Sequence, residues 1–116
     1  MISEEQYDDM TITLCESRTE RLCVSVRAYF KDGKLTVEGQ DLGTVTEEWF
    51  GSDEFEYYFY FDECNTRKLL QILAENRKNP IDEFRRRFSG LNGFNDLRTF
   101  CEKNEILRTY FSWHSS

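Results

Sequence analysis

Nine carboxylates fall between Leu35 and Thr66: Glu38, Asp41, Glu47, Glu48, Asp53, Glu54, Glu56, Asp62 and Glu63. The same stretch holds no Lys, Arg or His. Carboxylates at this density suit three kinds of chemistry: acid–base catalysis by a pair, coordination of a hard divalent metal, or attraction of a cationic partner. Catalysis needs two carboxyls held in different environments within one cleft, and spacing along the chain does not supply that. There is no EF-hand loop, and no His or Cys pair has zinc spacing. No metal or cofactor is therefore expected. His114, the only histidine, stands third from the end. No serine sits in a Gly-x-Ser-x-Gly elbow, and Cys15, Cys23, Cys64 and Cys101 lie far apart, without the signature of a nucleophile. The expectation is a binding protein and not an enzyme.

Aromatic side chains are interleaved with these acids. Trp49-Phe50 lies between Glu47-Glu48 and Asp53-Glu54, and Phe55-Glu56-Tyr57-Tyr58-Phe59-Tyr60-Phe61 follows. A large aromatic ringed by like charge fits a protein interface, where the ring supplies the contact energy and the rim charges steer the approach. The candidate partner-binding residues are Asp41, Glu47, Glu48, Trp49, Phe50, Asp53, Glu54 and Glu56. Trp49 has a second reading, as a lid tucked over the core.

Charge is unevenly placed along the 116 residues. Residues 1–34 carry seven acids and five bases, 35–66 nine acids and no base, and 67–116 six acids and ten bases, for a net charge of -7. A surface of this sign disfavours nucleic acid and attracts a basic protein partner. Arg85-Arg86-Arg87 is the one dense basic run. It either meets phosphates or compensates the acidic stretch at 35–66, and the net charge favours compensation. No apolar leader opens the chain, and no apolar run reaches the ~18 residues that a membrane span needs. The expectation is a soluble cytoplasmic protein, without membrane contact, whose thiols are reduced and buried.

The elements that must position these residues follow from periodicity. Thr11–Cys15 alternates as a short strand, and Glu16–Glu20 reads as a turn. In Arg21–Phe30, Leu22, Val24, Val26, Ala28 and Phe30 share one face. Asp32-Gly33 then predicts a tight hairpin returning through Leu35–Gly39. Gln40–Ser52 reads as a connection with one helical turn capped by Thr46. Asp53–Phe61 is a strand with Phe55, Tyr57, Phe59 and Phe61 on its core face, expected near the sheet centre or covered. A helix follows from Asn65, capped by Asn65 or Asp62, with its exit at Asn76 to Asn79. Asn79-Pro80 opens a second helix with Ile81, Phe84 and Phe88 inward. A third runs from about Asn95 to Lys103, and Leu107–Trp113 alternates as a last strand. Strands followed by helices predict a single α+β domain over 1–116, with an antiparallel sheet of four to five strands packed on one face by about three helices.

Three segments carry a resemblance: Asp41-Leu42-Gly43, the run from Glu48-Trp49-Phe50-Gly51-Ser52-Asp53 to Glu54-Phe55-Glu56-Tyr57, and the amphipathic Leu69–Leu73. Together they cover about a sixth of the chain, and in their order resemble small bacterial immunity-type proteins, which neutralise toxin domains. The resemblance implies an acidic inhibitor that blocks a basic toxin or nuclease-like effector by stoichiometric occlusion. Phage anti-CRISPR inhibitors share this bulk character and stand as an alternative. From other classes, a metal-dependent carboxylate enzyme and a nucleic-acid-binding regulator reading through Arg85–Arg87 are the rivals.

Overall fold

The computed structural model of the chain describes residues 4–114, leaving aside the side chains of Glu4, Glu5 and Phe50. A short helix α1 (Glu4–Tyr7) leads into strands β1 (Thr11–Arg18), β2 (Cys23–Lys31) and β3 (Lys34–Leu42). Helix α2 (Thr44–Phe50) connects to β4 (Glu54–Tyr60). Helices α3 (Glu63–Leu73), α4 (Pro80–Phe88) and α5 (Gly93–Lys103) follow, and β5 (Thr109–His114) closes the chain. The strands form one antiparallel sheet in the order β1-β2-β3-β4-β5. The α+β domain expected from the sequence is the fold observed.

The hairpin turns where the sequence places it. Lys31 pairs with Lys34, and Asp32 and Gly33 both take positive φ, at 54° and 76°. That geometry matches the right-handed twist of the flanking strands. Along β2, Val24, Val26, Ala28 and Phe30 are buried, as are Leu35 and Val37 of β3. Phe59 is the fully buried residue of β4, stacked on Phe94 of α5 with ring centroids 4.1 Å apart. Phe84 of α4 meets Phe30 edge-on at 6.3 Å. Helices α3, α4 and α5 thus cover one face of the sheet.

Their ends follow local chemistry. Asp62 caps α3 by accepting from the Asn65 amide at 2.8 Å. Asn79 accepts from the Ile81 and Asp82 amides, and Pro80 occupies the first helical position, where no amide hydrogen is needed.

Several expectations are corrected. Residues 16–18 continue β1 rather than turning, because a bulge between Thr13 and Cys15 lets Leu14 and Cys15 both point inward. Strand β3 runs to Leu42, three residues past Gly39. Helix α2 begins at Thr44 and is capped by Gly43, not Thr46. Gly43 takes φ 128°, and the Val45 amide donates to the Arg21 carbonyl at 3.1 Å in place of a side-chain cap. Thr46 is buried inside the helix. Helix α3 ends at Leu73; a 3-10 turn over Glu75–Arg77 leads out, with Asn76 and Arg77 left-handed. Phe55 and Tyr57 are half-buried, so the core face of this segment is complete only at Phe59 of β4 and at Phe61 just beyond it. All six residues of β5 are exposed. The four cysteines are unbridged; Cys15 and Cys101 are buried, Cys23 is half-buried and Cys64 is exposed.

Candidate functional site

The sheet face turned away from α3, α4 and α5 gathers the side chains that alternate with the core. On β4 these are Glu54, Glu56, Tyr58 and Tyr60. The register brings Trp113 opposite Glu56 and Phe111 opposite Tyr58. Glu38 and Gln40 of β3 and Arg27 of β2 continue the face. Tyr58 and Tyr60 stack with centroids 5.7 Å apart and planes 9° apart, and Tyr58 meets Phe111 at 5.9 Å. Trp113 is 46% exposed and Phe111 50% exposed. This is an aromatic strip on two adjacent strands with carboxylates along its margin.

The polar groups of the face are ordered by short contacts. Tyr58 donates to Glu56 Oε2 at 2.7 Å, and that bond, with some burial, pushes the phenol pKa up to about 12. Gln40 donates to Glu54 Oε1 at 3.1 Å. Arg27 pairs with Glu38 at 3.2 Å. Between them lies an open polar cleft of about 190 Å³, lined by Arg27, Glu38, Gln40, Glu56 and Tyr58 over the backbone of Gly39. Glu54 and Glu56 have no ion-pair partner among the described residues. Their negative charge is fixed by neutral donors, so it stays available to an incoming cation.

The expected site residues divide into three groups. Glu54 and Glu56 lie on this open face. Glu47, Glu48 and Trp49 lie exposed on α2, at the end of the sheet where β3 leaves and β4 enters, and Asp53 is exposed just before β4. Trp49 is 71% exposed, which removes its reading as a core lid. Phe50 ends α2, and its side chain lies outside the described residues. Glu48 is paired with Arg21 at 2.5 Å. Asp41 is separated from the rest. It points to the helix side of the sheet and accepts a hydrogen bond from Tyr57 at 2.8 Å. Burial pushes its pKa up, against the pull of that bond.

The arginine run does not compensate the 35–66 stretch. Arg86 and Arg87 pair with Glu83 at 2.6 and 3.2 Å, and Arg85 lies 4.0 Å from Asp82, all within α4. Arg87 also lies over the Phe100 ring at 5.6 Å. Residues one turn apart on a helix are natural ion-pair partners, so the three arginines of α4 find their carboxylates within the helix, and Glu83 also meets Lys78.

Sequence reasoning missed Tyr58, Tyr60, Phe111 and Trp113 as one surface. The available signal was the alternation itself, since β4 and β5 both place aromatics on the face opposite the core. Among the described residues, no group of three His, Cys, Asp or Glu is placed to hold a metal ion. No described helix is long and apolar enough to cross a membrane. No protein-family model matches the chain, and no curated protein or solved structure matches it.

Proposed function

We propose that the protein is a binding protein that inhibits a basic protein partner by stoichiometric occlusion, and that the open sheet face receives the partner. The observation that supports this is the pairing of Glu54 and Glu56, which have no cationic partner among the described residues, with the strip formed by half-buried Tyr58 and exposed Tyr60, Phe111 and Trp113. The carboxylates steer a cationic surface inward, and fields of this kind raise association rates about 10- to 1,000-fold. The rings then exclude water and supply the contact energy. Trp49, with Glu47 and Glu48, extends the surface around the end of the sheet.

In its most concrete form the protein is an immunity protein against a bacterial toxin, where its carboxylates stand in the places of phosphates on a nuclease-like effector. The test is affinity capture from the native host with wild-type and Glu54→Lys/Glu56→Lys baits, followed by identification of the bound protein. The proposal expects a basic protein held one-to-one by the wild type and lost from the doubly reversed bait. A nucleic acid or an acidic protein on the wild type, or equal capture by both baits, contradicts it.

A further inference from the structure

The two edges of the sheet are built differently. At the β1 edge the register slips between Thr13 and Cys15, and Glu16 and Arg18 add charge. The Leu14 carbonyl is occupied, accepting from the Gly90 amide in the loop between α4 and α5 at 2.8 Å. A bulge, charges and a covering loop are the devices that keep a sheet edge from pairing with another chain. Among the described residues, the β5 edge has none of them. Its six residues pair with β4 in unbroken register. They include no Asp, Glu, Lys, Arg or Pro, and Tyr110, Phe111 and Trp113 are each close to half exposed.

We propose that β5 pairs edge to edge and antiparallel with β5 of a second copy, forming a two-fold dimer with one continuous sheet. Charge restricts where a second copy can dock, and β5 is a place it leaves open. The chain carries a net charge of -7, so two copies repel over most of their surfaces. At β5 they meet without bringing carboxylates together. Glu56 is the nearest open-face acid, one strand in, opposite Trp113. The two Glu56 side chains are then at least three strand spacings apart, about 14 Å, beyond the ~8 Å over which exposed charges are screened.

Symmetry agrees. An antiparallel strand pair is its own complement about an axis perpendicular to the sheet. Both open faces therefore fall on the same side. Centred on Ser112, the pairing sets Phe111 of each copy opposite Trp113 of the other, at the spacing where cross-strand aromatic pairs interact. Even complete covering of three half-exposed rings per copy would remove no more than about 600 Å² from water over the dimer. That is below the ~1,200 Å² of a stable interface. Backbone hydrogen bonds supply the remainder, and the dimer is weak and reversible.

The experiment is sedimentation of the wild-type chain from roughly 1 µM to 1 mM, the range in which a weak interface is populated. A reducing agent is present, since Cys64 is exposed. Hydrogen exchange is read at both ends of that range. The mass should rise from 13.9 kDa toward twice that value. The β5 amides should gain protection with concentration while those of β1 do not. Phe111→Lys, checked for fold by circular dichroism, should stay monomeric, and the wild-type exchange pattern decides the matter if that variant fails to fold. A wild type that remains monomeric at the highest concentration overturns the proposal. So does a dimer retained by folded Phe111→Lys, protection gained away from β5, or growth beyond two copies.

Discussion

Tyr57 donates its phenolic hydrogen to Asp41 at 2.8 Å across the β3–β4 pair, and its ring lies where a side chain at Gly39 would stand. Gly39 and Tyr57 are direct cross-strand partners. The missing side chain at Gly39 lets the ring lie over β3 and reach Asp41, two residues further on. A β-carbon at Gly39 would stand 1.9 Å from that ring. Gly39→Ala should therefore cost about 1–3 kcal/mol, the usual range for forcing extra atoms into packed space. Denaturant unfolding measures it, and an unchanged midpoint would mean that the ring shifts freely.

Asp41 should give an inverse pH signature. Burial raises its pKa, and its hydrogen bond to Tyr57 only partly opposes this. A carboxyl whose folded pKa is raised contributes stability fully present below its unfolded pKa, and lost as pH rises through the folded value. Asn at this position cannot ionise and still accepts from Tyr57. The melting-temperature difference between Asp41→Asn and wild type should thus move in favour of the variant from about pH 4, the ordinary aspartate range, to about pH 7. A difference that does not change with pH would count against the buried placement of Asp41.

Phe59→Ala tests the core. Phe59 is fully buried, stacked on Phe94, with the Arg108 guanidinium 5.1 Å from its centroid. Removing the ring should cost about 3–5 kcal/mol. A loss under about 1 kcal/mol would reverse the assignment of faces on β4.

Much of the fold was legible because local chemistry and periodicity agree. Asp32-Gly33 has one low-energy way to join two alternating strands, and Asn79-Pro80 one way to open a helix. What was illegible depends on contacts distant in sequence. The cap of α2 is the Arg21 carbonyl meeting Val45, which no window around Thr46 contains. The turn of Asp41 toward the helix face follows from β3 running on to Leu42, and a strand ended at Gly39 hides it. Alternation divided β4 correctly into two sets. Only the return of β5 beside β4 placed Phe111 and Trp113 with Tyr58 and Glu56, so the aromatic strip belongs to no single segment.

The claim that the open acidic–aromatic face is the binding surface is tested most directly by association kinetics with the captured basic partner. Wild type, Glu54→Lys/Glu56→Lys and Arg85→Glu/Arg86→Glu/Arg87→Glu are compared at two salt concentrations, after circular dichroism shows each folded. Reversing the two carboxylates should slow association by about tenfold or more at low salt, with the gap narrowing as salt rises. Reversing the arginines, which pair within α4, should leave the rate within about twofold of wild type while lowering stability, because Asp82 and Glu83 then face like charge. A carboxylate variant that associates at the wild-type rate, beside a folded arginine variant that no longer binds, would contradict the account and move the binding surface to α4.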